Sequence, residues 1–312
     1  MAQAHAVTSI QGTATHLAGP GDFIALMKPR VMSLVVFTTV VGMLMAPTMP
    51  HPLLMVIAII AIAAGAGASG AINQWYDRDI DAIMSRTQAR PIPAGKVMPE
   101  EALALGVIIS LLSTLVLWSA VGVAAAALLA FTIFFYAVVY SVWLKRSTPQ
   151  NIVIGGAAGA FPPAIGWLAA GGGLTIEPVI LFAIIFIWTP PHFWALALVK
   201  NEDYTRAGIP MMPVVAGPTS TKIQIFAYSI ALAVIAVTPS FIGMASVYYG
   251  VFAGVLSAVF LKFAYDLKSA NDATSDAKAM RLFKYSILYL FLVFLALGID
   301  GGVTTIIHGM GL

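Results

Sequence analysis

Ala102–Leu144 reads ALALGVIISLLSTLVLWSAVGVAAAALLAFTIFFYAVVYSVWL, 43 residues without one Lys, Arg, Asp or Glu. A helix that crosses a bilayer needs about 20 mostly apolar residues. The run is too long for one crossing and suits two, with a turn near Ser119–Gly122. Outward from it, 31–46, 52–72, 147–176, 178–199, 223–261 and 285–299 are equally free of formal charge. Residues 223–265 divide again near Gly243–Ser246. Nine spans are predicted, near 24–46, 52–74, 102–119, 123–144, 151–169, 178–199, 223–243, 247–266 and 283–307. The composition agrees: 60% of residues are hydrophobic and 9% charged, against roughly 25% charged in soluble domains. The fold class is therefore an all-α integral membrane protein. Residues 1–20 read as a mobile cytoplasmic N-terminus and 21–312 as a single membrane domain.

All 16 Lys and Arg residues fall on one side of this layout. By the positive-inside rule that side is cytoplasmic. The N-terminus and the charged loops then lie in the cytoplasm, and the C-terminus outside. The net charge of +3 marks a membrane face and not a nucleic-acid surface. The first 27 residues lack Lys and Arg, unlike a transit or secretory peptide. Zero cysteines exclude disulfides and thiolate metal sites. A bacterial inner membrane is the expected location.

The two long polar loops, roughly 75–101 and 200–222, follow the second and sixth spans, four helices apart. That spacing predicts two pseudo-equivalent four-helix halves. Small residues in Ala63–Gly70 and Gly155–Gly159 suit close helix packing.

The first loop opens with Ile72-Asn-Gln-Trp-Tyr-Asp-Arg-Asp-Ile-Asp81. On a helix, a four-residue step keeps Asn73, Asp77 and Asp81 on one face. Two carboxylates and a carboxamide at the end of an apolar helix suit a hard cation such as Mg²⁺. Asp79 lies about 200° round the helix from Asp77 and reads as a solvated or ion-pairing group. Lys28, Arg30, Arg86, Arg90, Lys145 and Arg146 come from the same side. Singly each marks topology. Together with an acidic metal-type cluster they describe a diphosphate site, because guanidinium forks and ammonium groups neutralise phosphate oxygens.

The second loop reads Trp188-Thr-Pro-Pro-His-Phe-Trp194, then Lys200-Asn-Glu-Asp-Tyr204 and Ala207-Gly-Ile-Pro-Met-Met-Pro213. His192 has two readings: a core histidine bonded to a carbonyl freed by the prolines, or a contact to a bound planar ligand and its metal. His51 and His308 fall near the external face.

Asn73-x-x-x-Asp77-x-x-x-Asp81, followed by Arg86 and Arg90-Pro91, resembles the first motif of the UbiA-type intramembrane prenyltransferases. Lys28-Pro-Arg-Val31, Trp188–Trp194, Lys200-x-x-Asp-Tyr204 and Ala207–Met211 are similar to those of one branch, the protoheme IX farnesyltransferases. The resemblance runs from about Lys28 to the end of the chain. It implies nine helices around a central cavity open to the cytoplasmic side. It also implies Mg²⁺-dependent transfer of farnesyl from farnesyl diphosphate to a vinyl group of heme b, giving heme O. The roles it implies are catalytic for Asn73, Asp77, Asp81, Lys200, Asp203 and Tyr204. Lys28, Arg30, Arg86, Arg90, Lys145, Arg146, His192 and Trp194 would hold the substrates. Asn73, Asp77, Asp81 and Asp203 would hold the metal. The second aspartate-rich motif usual in the superfamily is reduced here to Asp203 with Glu202, and Lys200 stands among them. Lys262, Lys268, Lys278, Arg281 and Lys284, assigned to the loop before the ninth span, are candidates for the heme propionates. Partners implied are the two substrates, the bilayer, and a heme A synthase or terminal oxidase assembly that receives the product; no nucleic acid is implied.

Two rivals stand beside this reading. An aromatic acceptor, as in quinone synthesis, would leave the Trp188–Trp194 segment without a role. A secondary transporter would place its ionisable groups near the midplane, whereas these gather at one face.

Overall fold

The computed structural model describes residues 18–48 and 51–309, with side chains described as far as 302. Residues 1–17 of the expected N-terminal tail and the His308 side chain lie outside the described residues. Among the described residues the chain is helical, without a strand. The helices are α1 (Pro20–Leu26), α2 (Pro29–Leu44), α3 (Pro52–Tyr76), α4 (Arg78–Ile83), α5 (Pro99–Val121) and α6 (Val123–Phe134). Then come α7 (Asn151–Ala169), α8 (Ile176–Val199), α9 (Asn201–Arg206), α10 (Met212–Val215), α11 (Gly217–Phe241), α12 (Val247–Lys268) and α13 (Asp272–Gly309). From Phe135 to Leu144 the chain of α6 continues as a π-helix.

Eight helices are long and apolar enough to cross a membrane, and α1 with α2 supplies a ninth if the bent pair is one span. Bilayer physics dictates the pattern: a spanning backbone must satisfy its own N–H and C=O groups, and helices do so. The 43-residue run divides at Gly122, whose φ of +101° closes α5 and starts α6. Glycine occupies that backbone region without a Cβ clash.

The first expected span, 24–46, is corrected. It breaks at Lys28, where α1 and α2 meet at 57°. Lys28 has φ 54°, the only left-handed non-glycine among the described residues, and Pro29 begins the next helix. The buried Gln74 carboxamide donates to the Leu26 carbonyl (2.6 Å), holding the last turn of α1 against α3.

The last span is also corrected. α13 begins at Asp272, well before residue 283. Lys278, Arg281 and Lys284 therefore ride on its first turns, and Lys262 and Lys268 end α12, so no 262–284 loop exists. The segment DATSDAKAMRLFK lacks Gly and Pro and extends the helix below the apolar run. Two of these cations lie over rings, Arg281 on Phe263 at 4.0 Å and Lys268 on Phe226 at 4.9 Å.

Around the bundle, α2, α3, α5 and α6 pack in succession, as do α7, α8, α11 and α12. α13 closes against α2, α8 and α12. Each half has the same local feature: its second helix ends and a six-residue helix follows after one residue, α4 after Asp77 and α9 after Lys200. α7 and α8 are the most enclosed spans and α5 the most lipid-facing. Leu181, Ile184, Phe294 and Leu297 are fully buried, while Leu111, Leu115, Val234 and Val251 point outward, as lipid requires.

Candidate active site

Two consecutive ladder bonds carry the helix across the α3–α4 junction. Asp77 N–H donates to the Asn73 carbonyl at 2.9 Å, and Asp81 N–H to the Asp77 carbonyl at 2.8 Å. The four-residue step is thus helical in fact, and Asn73, Asp77 and Asp81 rise in one row. All three are buried.

Each member of the row meets its own cation. Lys28 Nζ donates to Asn73 Oδ1 at 2.9 Å, Lys145 Nζ to Asp77 Oδ2 at 2.5 Å, and Arg90 Nη1 to Asp81 Oδ2 at 2.6 Å. Lys28 arrives because the left-handed break turns it inward, where Arg90, Asp81, Asp77 and Arg86 all act on its charge. Asn73 Nδ2 donates to Asp77 Oδ2 (2.6 Å) and to Ser141 Oγ (3.0 Å), which fixes the carboxamide with its oxygen toward Lys28. Thr87 Oγ1 donates to the Asp81 carbonyl (2.8 Å), folding the loop back so that Arg90 can reach.

Asp79 faces away. Arg146 grips it with both guanidinium nitrogens at 2.8 and 2.7 Å and lies 3.7 Å from Asp77 Oδ1. The Arg146 hydrogen bond holds the Asp79 carboxyl below the usual carboxylate range.

The second loop is stitched to the first. Ser85 Oγ donates to Asp203 Oδ2 at 2.7 Å, and Arg86 Nη2 to the Tyr204 hydroxyl at 3.0 Å. Arg86 also lies 5.4 Å over the Tyr204 ring. Arg206, one turn on, takes the other oxygen of Asp203. Those bonds lower the Asp203 carboxyl, Ser85 first, while burial raises the Tyr204 phenol.

Asp203 stands apart from the other residues of the expected metal set. Both its oxygens are engaged by Ser85 and Arg206 and it does not join the row. The Lys200 side chain is exposed and makes no hydrogen bond among the described residues, and Arg30 is exposed in a shallow cleft of about 230 Å³ beside Lys28.

His192 lies in α8 with its Nδ1 2.6 Å from Ser286 Oγ of α13. The hydroxyl partner replaces the proline-freed carbonyl of one expectation. Trp194, two residues on, is about 200° round the helix. It is fully buried against Tyr228 of α11 (5.6 Å, 82°), away from the His192 face, with its Nε1 unpartnered.

The fit to Mg²⁺ can be tested on the row itself. Mg²⁺ takes oxygen ligands near 2.1 Å and shares them with substrate phosphates. The row offers only oxygens, and Asp77 Oδ1 is buried without a hydrogen-bond partner. Among the described residues no three His, Cys, Asp or Glu side chains converge as a metal cluster. The donor chemistry of the row suits the ion with the Asn73 carboxamide counted, and phosphate oxygens would complete the shell.

The profile of the UbiA prenyltransferase family matches residues 35–296. The chain is 59% identical over 280 residues to "protoheme IX farnesyltransferase 2" of Mesorhizobium japonicum, covering 89% of each chain. It is 57% identical to the protoheme IX farnesyltransferase of Methylocella silvestris, over 93% of this chain and 92% of the relative.

The chain belongs to the UbiA prenyltransferase family.

Solved folds agree with that membership. This UbiA protein superposes on a digeranylgeranylglyceryl phosphate synthase with a TM-score of 0.76 at 16% identity, covering 90% of this chain and 98% of the other. A UbiA homologue from Archaeoglobus fulgidus, solved with DMAPP and Mg²⁺, gives 0.66 at 17% identity, over 88% and 98% of the chains. In this UbiA prenyltransferase Ser141, Gln74, Ser85 and Thr87 are side chains at the site that went unread in the sequence. The π-helix explains the first. Its wider turn sends Ser141 Oγ to the carbonyl five residues back (Tyr136, 2.8 Å) and leaves it to accept from Asn73.

Proposed function

We propose that the protein transfers farnesyl from farnesyl diphosphate to a vinyl group of heme b. The row of Asn73, Asp77 and Asp81, each residue meeting a separate cation, carries this reading. The names of relatives 57–59% identical over about nine-tenths of the chain support heme as the acceptor.

Lys28, Arg90 and Lys145 now neutralise the row. With a diphosphate present, the same groups lie where its oxygens need charge, and Arg86 and Arg146 stand beside them. Asn73, Asp77 and Asp81 would hold Mg²⁺, which when bound supplies positive charge for the leaving diphosphate oxygens. The allylic C1–O bond breaks, diphosphate leaves with the electron pair, and a vinyl carbon of heme bonds to C1. The cation left on the other vinyl carbon takes up water and loses a proton, giving the hydroxyethylfarnesyl group. Preorganised cations act on the leaving oxygens without reorganisation at the moment of reaction. Tyr136, beneath Lys28, and Tyr140, stacked on it at 5.3 Å, offer ring faces to allylic charge.

The same proposal places the protein in a bacterial inner membrane, N-terminus cytoplasmic and C-terminus periplasmic. In this reading the site opens on the basic face, and the product passes to a heme A synthase or terminal oxidase assembly. All Lys and Arg residues on one face support that orientation. The test is a pigment extract from cells expressing the protein, analysed by mass. Farnesylated heme is expected; farnesyl on a quinone precursor and none on heme would overturn the acceptor.

A further inference from the structure

We propose that His192 presents Nε2 as an axial ligand to the iron of the acceptor porphyrin, a proposal that rests on heme being that acceptor. The argument begins at Ser286. Its hydroxyl has one hydrogen, which it donates to the Phe283 carbonyl at 2.7 Å. Toward His192 Nδ1, 2.6 Å away, it can therefore only accept. Nδ1 carries the imidazole proton, and Nε2 carries the lone pair. The hydrogen bond at one ring nitrogen decides which nitrogen is free to ligate, and a neutral imidazole held through Nδ1–H to an oxygen is the usual metal-ready form.

The ring is also held in orientation. Trp188 stacks on one side at 4.2 Å and 18°, and Phe283 at 4.7 Å and 26°. Trp188 Nε1 donates to the Ser286 carbonyl at 2.8 Å, so the stacking partner and the Nδ1 acceptor are tied to one residue. Nε2 has no hydrogen bond among the described residues, yet it is not among the buried unpartnered atoms. A buried histidine that served only to join α8 to α13 would satisfy both nitrogens or seal the second. Here one nitrogen is fixed and Nε2 is unbonded, on a residue 8% exposed with Phe193 packed against the ring at 4.9 Å; an unbonded Nε2 is what axial ligation needs.

The experiment titrates the full chain, in lipid nanodiscs without farnesyl diphosphate, with heme b. The ferrous five-coordinate complex should show an iron–histidine stretching band by resonance Raman. His192→Ala should remove that band and weaken heme binding more than tenfold, with imidazole in solution restoring the ligated spectrum. Ser286→Ala keeps the ligand but removes the Nδ1 acceptor, so the band should fall in frequency and affinity drop about tenfold. If His192→Ala does not fold, the Ser286→Ala shift decides alone. A histidine band unmoved in both variants, or no such band in the wild type, overturns the ligand. Farnesyl transfer by the wild type is measured in parallel. Transfer without histidine ligation sinks only the ligand, whereas heme neither bound nor farnesylated sinks the acceptor reading beneath it.

Discussion

Lys145 Nζ sits 2.5 Å from Asp77 Oδ2, joining residues 68 apart just past the ends of α3 and the π-helix. The Asp77 side chain is fully buried and that of Lys145 is 18% exposed. Neutralising the carboxylate strands an ammonium and removes a central oxygen from the row. Asp77→Asn should lower farnesyl transfer by about 10²–10³-fold, the scale seen when one preorganised group of a transition-state site is lost. The variant should still insert in the membrane. Initial rates on membranes matched for protein content check this, and full turnover would remove Asp77 from the chemistry.

Metal dependence separates the row from Asp203. Excess chelator should abolish transfer, and Mg²⁺ together with inorganic diphosphate should raise Tm by mass action on the folded state. That rise should vanish in Asp81→Asn and persist in Asp203→Asn, because Ser85 and Arg206 already occupy both Asp203 oxygens. Equal loss in the two variants would restore Asp203 to the metal set.

The spans were legible in the sequence because a bilayer admits few solutions, and the 43-residue run had only one reading. The Asn73–Asp77–Asp81 row was legible because its order is local: a four-residue step on a helix needs no tertiary knowledge. What stayed hidden depends on distant neighbours. The break at Lys28 requires the Gln74 carboxamide, 48 residues from the Leu26 carbonyl it holds. Ser141 reaches Asn73 only through π-helical geometry that an apolar run does not announce. Trp194 looked like a site residue beside His192, yet two helical residues separate opposite faces.

The Ser85–Asp203 bond gives the loop contact a pH limit. Asp203 is depressed in the fold, so its contribution is present above the unfolded carboxyl pKa of about 3.9 and is lost as pH falls through the lower, folded value. The contact should hold at neutral pH and fail only in strong acid. Ser85→Ala removes the largest cause of the shift and should move the acid limb of the Tm profile upward. An acid limb unchanged in that variant would show that Arg206 alone sets it.

Arg86 meets Tyr204 in two ways, by a hydrogen bond to the hydroxyl and by lying over the ring. Tyr204→Phe keeps the ring and drops the acceptor. Arg86 is exposed, so the expected effect is a several-fold rise in KM for farnesyl diphosphate with kcat nearly unchanged. Arg86→Lys, which loses the planar fork, should do more harm than Tyr204→Phe. The reverse order would argue that the phenol itself touches the substrate.

Gly155 tests whether the π-helix must keep its place for the site to form. A Cβ there would lie 2.1 Å from the Tyr140 ring, far inside contact distance. Gly155→Ala must push the ring or part α7 from the π-helix, and overpacking of this kind costs about 1–3 kcal/mol. Because Ser141 follows Tyr140 directly and Lys145 one π-turn later, the displacement should carry to Asn73 and Asp77, lowering Tm and transfer together. Tyr140→Leu on the Gly155→Ala background makes room for the methyl group. It should recover Tm, and it should recover transfer only so far as the Tyr140 ring face is not itself used. Recovery of both would confine Tyr140 to packing, whereas recovered Tm without activity would place its ring beside the allylic chain.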